Sequence, residues 1–247
     1  MAGNVDLSSE YEMREQIGKG AFGAAFLVLH KETRKQYVLK RVRLAKQTNW
    51  QRNSTLQERD MVSKLQHPYI VPHVTSWITQ GHTVNVVYGY CEKGDLATLM
   101  AKNNGTPFPE ATLKLWLCQM LLALEYLQVQ KVLHRDIKTG NIFLTAAGDV
   151  QLGDFGLATY RETEGDRPED MNLVGTPHYM SPELLSQKGC SFKSDTWSLG
   201  CALYELTAQR PAFNAFNIHG LVTKIRRHRM APLPPGYSAE WGGLVAL

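Results

Sequence analysis

The chain has 247 residues, 43% of them hydrophobic, which is enough to bury a sizeable core and to form one or two domains. A formal net charge of +4 is too small, without clustering, to point to nucleic acid as a partner. The four cysteines are scattered with no Cys-x-x-Cys pair, which excludes metal-ligand spacing and argues against a disulfide framework.

No basic-then-apolar signal opens the chain, and no run of about 18 apolar residues offers a membrane span. The expected setting is therefore cytoplasmic, with cytoskeletal or nuclear placement included, and away from membranes. Up to residue 90 the pattern is mostly that of strands. Tyr11, Met13 and Ile17 approximate a period of two, and residues 24–30, 36–44 and 83–90 read as further strands. A helix is predicted over 50–66, with Met61, Val62 and Leu65 on one face. Beyond residue 95 the period becomes helical. Leu113, Leu117, Met120, Leu124 and Leu127 form a stripe within 110–130, and 194–208 is apolar nearly all round, as a buried helix would be. The basic run 224–229 is read as a solvated helix face, and 241–247 as the start of a helix. The chain thus divides at 88–94, where glycines permit a hinge.

Chemistry-bearing residues follow the same order. Gly18, Gly20 and Gly23 form a glycine loop that leads into a strand. Dinucleotide-binding loops open a helix instead, and no Gly-Lys-Ser/Thr closes a Walker pattern. A strand-loop-strand hairpin over a triphosphate fits better. Lys40, on the next strand, needs a carboxylate to hold its ammonium against phosphate charge, and Glu58 on the 50–66 helix is best placed. Asp136 is read as the base that orients an incoming hydroxyl and accepts its proton. Lys138 offsets charge on the transferring group, and the oxygens of Asn141 and Asp154 suit a hard ion such as Mg²⁺.

With those residues in view, the chain resembles eukaryotic-type Ser/Thr protein kinases, and most closely the plant-type branch of the NIMA-related (NEK) family. The likeness runs from Tyr11 to Leu247. It is carried by His134-Arg135-Asp136-Ile137-Lys138, Asp154-Phe155-Gly156, Gly89-Tyr90-Cys91-Glu92-Lys93-Gly94-Asp95-Leu96 and Gly175-Thr176-Pro177-His178-Tyr179-Met180-Ser181-Pro182-Glu183. The resemblance implies an α+β bilobal fold: a small antiparallel-sheet lobe with one helix (11–88), a hinge (89–94) and a larger, mainly helical lobe (95–247) lacking its final helices. It implies transfer of the γ-phosphoryl group of MgATP to a Ser or Thr hydroxyl of a protein substrate, with no nucleic-acid or membrane partner. Asp136, Lys138, Lys40 and Glu58 would be catalytic. Ile17, Gly18, Gly20, Gly23, Ala25, Lys40, Tyr90 and Cys91 would bind ATP, with Tyr88 as gatekeeper, and Asn141 and Asp154 would hold Mg²⁺. Thr176 would brace Asp136 and Lys138, and Asp195 would anchor the catalytic loop. Family members serve microtubule organisation, cilia or cell-cycle progression.

Two departures stand out. Asn172 occupies a position where many family members carry a phosphorylatable residue, so activation is expected not to depend on phosphorylation there. Asp166, Glu169 and Asp170 could partly supply the charge that Arg135 would meet, and Thr159 and Thr163 are other candidate phosphosites. The arginine expected to pair with Glu183 is also absent, so a truncated, less stable domain is expected. The alternative function is a pseudokinase-like scaffold, opposed by the joint presence of Lys40, Asp136, Asn141 and Asp154.

Overall fold

The structure, a computed structural model, describes residues 7–19, 23–79, 82–161 and 174–245, the side chains of Lys46 and Trp50 excepted. By its internal contacts the chain forms two compact units, Met1–Glu92 and Lys93–Leu247.

Among the described residues, the first unit is an antiparallel sheet with one α-helix. Its elements are β1 (Tyr11–Lys19), β2 (Gly23–His30), β3 (Gln36–Arg43), α1 (Asn49–Val62), β4 (His73–Thr79) and β5 (Thr83–Gly89), and the strand order is β1-β2-β3-β5-β4. Val28, Leu39 and Val87 on the inner strands meet Tyr11 and Trp77, which stack with ring centroids 6.1 Å apart. The period-two reading of β1 holds only at Tyr11, since Met13 and Ile17 are 41% and 47% exposed. Register shifts after Met13 and after Gln16 break the alternation that would return Ile17 to the face of Tyr11. Strand β4 was not anticipated, because a register shift between His73 and Thr75 interrupts its alternation and leaves Val74 exposed. Helix α1 opens on a capping box between Thr48 and Gln51 and stops at Val62 rather than at residue 66. Past that point the N–H groups of Lys64 and Leu65 turn back on Met61 and Val62, which still leaves Leu65 buried.

The second unit contains α2 (Leu96–Lys102), α3 (Glu110–Val129), β6 (Val132–Leu133), β7 (Ile142–Leu144), β8 (Val150–Leu152), β9 (Thr159–Tyr160), α4 (Pro182–Leu185), α5 (Phe192–Ala208), α6 (Ile218–Arg226) and α7 (Ala239–Val245). Helices α3 and α5 pack on each other and contribute Leu113, Leu117, Met120 and Leu127 from α3 and Leu199, Ala202, Leu203 and Leu206 from α5 to the core. Polar side chains of α3 also hold the β7–β8 hairpin. Trp116 Nε1 donates to the Gly148 carbonyl at 3.1 Å, and Gln119 bonds both Asp149 Oδ1 (2.6 Å) and the Val150 N–H (2.9 Å). The basic run is only half helical: α6 ends at Arg226, and Arg227 to Arg229 turn through His228 at φ 49°. The end of the described chain is a helix, as the sequence implies. In α7, Trp241 is buried with its indole N–H on Thr207 Oγ1 at 3.1 Å.

Candidate active site

In the first unit, register brings the predicted nucleotide residues into one row. Gly18 pairs with Ala25, Ala25 with Lys40, and Lys40 with Val86. A Cβ on Gly18 would sit 3.4 Å from that of Ala25. Gly23 is required for a different reason, because a Cβ there would lie 2.1 Å from the Arg41 carbonyl oxygen. Gly20 lies outside the described residues. Ile17 presents a half-exposed side chain beside Gly18. Lys40 Nζ reaches Glu58 Oε1 at 2.7 Å, with the lysine 30% and the glutamate 11% exposed. Helix α1 therefore delivers the carboxylate that the sequence reading assigned to the lysine. Tyr88 lies between Val38 and His73 in the sheet, and its ring is 6.5 Å from that of His73. Tyr90 is half-buried and Cys91 buried just beyond β5. Burial, and after it the charge of Glu92, pushes the Cys91 thiol up to about 11, so it stays protonated.

In the second unit, Asp136 is the centre of a polar cluster. Its Oδ1 accepts from Thr176 Oγ1 at 2.8 Å. Its Oδ2 accepts from Lys138 Nζ at 2.7 Å and from Asn141 Nδ2 at 3.0 Å. Lys138 also donates to Thr176 Oγ1 at 3.1 Å. A carboxylate has about four acceptor positions, so Oδ1 keeps a lone pair for a further hydroxyl. The β7–β8 hairpin closes the sequence gap between Asn141 and Asp154. Ile142 pairs with Leu152, and the Gly153 N–H donates to the Asn141 carbonyl at 2.9 Å. Asp154 follows with an exposed side chain and φ 59°, a left-handed conformation that aspartate tolerates better than most residues.

The loop before Asp136 is held from α5. Asp195 accepts the His134 N–H at 2.8 Å on one oxygen and the Arg135 N–H at 2.9 Å on the other. Burial pushes the Asp195 carboxyl up, while these two N–H bonds pull it back towards ionisation. His134 is fully buried, with Nδ1 accepting from the Asp136 N–H at 3.3 Å, which leaves the proton on Nε2 for the Gly153 carbonyl at 3.1 Å. Arg135 sits at φ 65°, and its Nε donates to the Leu157 carbonyl at 2.6 Å. Left-handed backbone at a bulky residue costs on the order of 1–3 kcal/mol, and the Asp195 carboxylate is what holds it. Gly175 at φ 112° passes so close that a Cβ would be 2.8 Å from the Arg135 carbonyl oxygen.

The sequence reading missed Thr139, Tyr179 and Glu205. Thr139 Oγ1 donates to Glu205 Oε2 at 3.0 Å, and the Tyr179 hydroxyl donates to the same oxygen. No local pattern announces a contact made across 66 residues. Glu183 accepts from Ser194 Oγ at 2.7 Å, and no cation pairs with it among the described residues. Asn172, Thr163, Asp166, Glu169 and Asp170 lie outside the described residues. Thr159 is half-buried in β9, paired with Leu133.

A model of the protein kinase domain matches residues 11–239. Serine/threonine-protein kinase Nek3 of Oryza sativa subsp. japonica is 50% identical over 236 residues, 96% of this chain and 40% of that protein. Serine/threonine-protein kinase Nek6 of the same plant is 44% identical over 238 residues, 96% of this chain and 43% of its own length. Serine/threonine-protein kinase Nek4 of Mus musculus is 39% identical over 229 residues, 93% of this chain and 29% of its own length. The chain spans about two fifths of the plant relatives' length. With the Asp136 cluster, the hairpin joining Asn141 to Asp154 and the Lys40–Glu58 pair in place, these matches show that the chain belongs to the protein kinase domain family and is similar over nearly its whole length to Nek-type serine/threonine kinases.

Proposed function

We propose that this chain is the catalytic domain of a Ser/Thr protein kinase, transferring the γ-phosphoryl group of MgATP to a serine or threonine hydroxyl of a protein substrate. The observation that carries it is the bracing of one carboxylate, Asp136, by Thr176, Lys138 and Asn141 at 2.7–3.0 Å. Asp136 orients the substrate hydroxyl and accepts its proton through the open position on Oδ1. Lys138, between Asp136 and Thr176, stabilises negative charge on the transferring group. The donor set suits Mg²⁺: Asn141 turns its amide N–H₂ to Asp136 and keeps its amide oxygen for ligation, and Asp154 adds a carboxylate. When bound, the metal neutralises charge on the β- and γ-phosphates. Lys40, fixed by Glu58, binds the α- and β-phosphates, with Gly18, Gly23 and Ala25 giving backbone approach.

The test is phosphate transfer from ATP to a Ser/Thr peptide by this chain and by Asp136→Ala. The expected loss is about 10²–10⁴-fold in kcat. Equal traces from the two proteins would overturn the proposal and favour a binding-only scaffold.

A further inference from the structure

The stretch between Leu206 and Ala239 contains no aspartate or glutamate but carries five lysines and arginines. Three of them, Arg226, Arg227 and Arg229, stand exposed at the end of α6 and in the turn after it. The Arg229 N–H donates to the Lys224 carbonyl at 3.0 Å, so the turn folds back and keeps the three arginines at one end of the helix. None of them pairs with a carboxylate among the described residues. The other end of α6 is apolar. Ile218, its first residue, is 59% exposed, and Phe216, two residues earlier, is the most exposed large apolar side chain among the described residues. The backbone is held on both sides of Phe216. Phe213 is buried and stacks on Trp197 with ring centroids 5.8 Å apart, and Lys224 Nζ donates to the Asn214 carbonyl at 2.6 Å. Asn217 caps α6 by accepting the Gly220 N–H at 2.8 Å. A fixed aromatic ring in water, next to cations that no carboxylate neutralises, has the composition of a docking surface.

We infer that Phe216, Ile218 and the arginines at the end of α6 dock an acidic, extended segment of the protein substrate that carries an aromatic or aliphatic anchor. The inference rests on the kinase reading of the Asp136 site and adds a second point of substrate contact. From Ile218 to Arg226 the helix rises about 12 Å, a length that about four residues of extended chain span. One short segment therefore reaches the apolar end with its anchor and the arginines with its carboxylates. A lipid surface takes apolar and charged side chains at different depths of one helix face, whereas here they lie at opposite ends of α6. Arg226 also ties the face to the segment that braces the catalytic carboxylate. Its Nη2 donates to the Leu185 carbonyl at 3.0 Å, at the end of α4, which begins six residues after Thr176. A substrate held on α6 presents its hydroxyl to Asp136 from within the complex, which raises the effective concentration of that hydroxyl.

The experiment uses the whole chain, Phe216→Ser, and Arg227→Glu combined with Arg229→Glu. The probe is a fluorescein-labelled peptide of glutamates around one phenylalanine, with a control in which lysine replaces glutamate. Fluorescence anisotropy is expected to show binding of the acidic peptide, weakened by added salt and weakened about 10-fold in either variant, with none of the lysine peptide. Joined through a flexible linker to a Ser/Thr peptide, the acidic segment is expected to lower the peptide KM about 10-fold. Both variants abolish that gain, while kcat and the KM for the unextended peptide stay within about 2-fold. Equal affinity of the chain and its variants for the acidic peptide would overturn the proposal, as would equal binding of the lysine peptide. Binding at Phe216 without a lower KM would overturn the recruiting role. So would Phe216-dependent binding to phosphatidylserine vesicles, or a Phe216-dependent dimer in sedimentation, with no affinity for the acidic peptide. Anisotropy is repeated with Asp136→Ala, which is expected to bind as the chain does. If the chain and Asp136→Ala transfer phosphate equally, the kinase reading fails, and anisotropy still decides whether α6 docks the peptide.

Discussion

At the scale of single residues, the site is made of charges whose partners are already in place. The Lys40–Glu58 pair shows what that arrangement contributes. Its members are 30% and 11% exposed, so the bond is only partly shielded and its contribution to stability is modest. Glu58→Gln keeps a hydrogen-bond acceptor for Lys40 but removes the charge. It is expected to lower kcat/KM for ATP by about 10²-fold, through misplacement of the ammonium, while the melting temperature moves by only a few degrees. Steady-state kinetics beside a thermal melt check this, and equal losses in stability and activity would contradict it. Arg135, Asp154 and Gly175 make a related point, since all three have positive φ within or beside the Asp136 cluster. At these three positions the left-handed backbone falls where side-chain direction matters, and Asp195 holds the bulkiest of the three.

At the scale of elements, helices are useful for what their ends and edges hold. Helix α1 delivers Glu58, and its start depends on the Thr48–Gln51 capping box. Thr48→Ala is expected to cost about 0.5–2 kcal/mol, read as a shift in the denaturation midpoint, with loosening of the Lys40 site rather than of Asp136. Helix α3 is tied to the segment before α7 by Glu110, whose Oε2 and Oε1 accept from the Ser238 N–H and Oγ at 2.7 and 2.8 Å. Lys114, then the two Ser238 bonds, hold the Glu110 carboxyl down at about 2. A carboxyl lowered in the folded state contributes stability that is fully present above its unfolded value near 4.5 and is lost as pH falls towards 2. Glu110→Gln is therefore expected to lower stability in the neutral region, where the contribution is fully present, and to converge with the parent towards pH 2, which flattens the acid limb between about pH 4.5 and 2. An acid titration followed by circular dichroism measures it, and superimposable acid limbs would count against the tether.

At the scale of the whole molecule, apolar surface that the fold leaves uncovered governs behaviour in solution. Leu115, Leu121, Leu122 and Val129 of α3 are 44–69% exposed, opposite the buried stripe of the same helix. Contiguous exposed apolar area promotes association, so Leu122→Gln with Val129→Gln is expected to raise the concentration at which light scattering begins, with the melting temperature nearly unchanged. Much of the molecule was legible beforehand. The stripes of α3 and α5 reflect a helical period, and Asp136, Lys138, Asn141 and Asp154 fall within two short stretches of chain, where spacing alone carries chemical meaning. The pairing of Lys40 with Glu58 was also readable, because it needs only one lysine and one carboxylate on neighbouring elements. The phase of β1 and the existence of β4 were not, since a register shift erases the alternation on which a strand is recognised. Nor could the chain as a string reveal that Gly175 must pass beneath the Arg135 carbonyl, or that Glu205 gathers Thr139 and Tyr179. Sequence by itself determined which chemical groups are present and which elements carry them, because periodicity and motif spacing are local. Tertiary structure alone decided contacts such as those of Glu205 with Thr139 and Tyr179 and of Gly175 with Arg135, because they join residues dozens of positions apart and depend on how α5 packs beneath the loops.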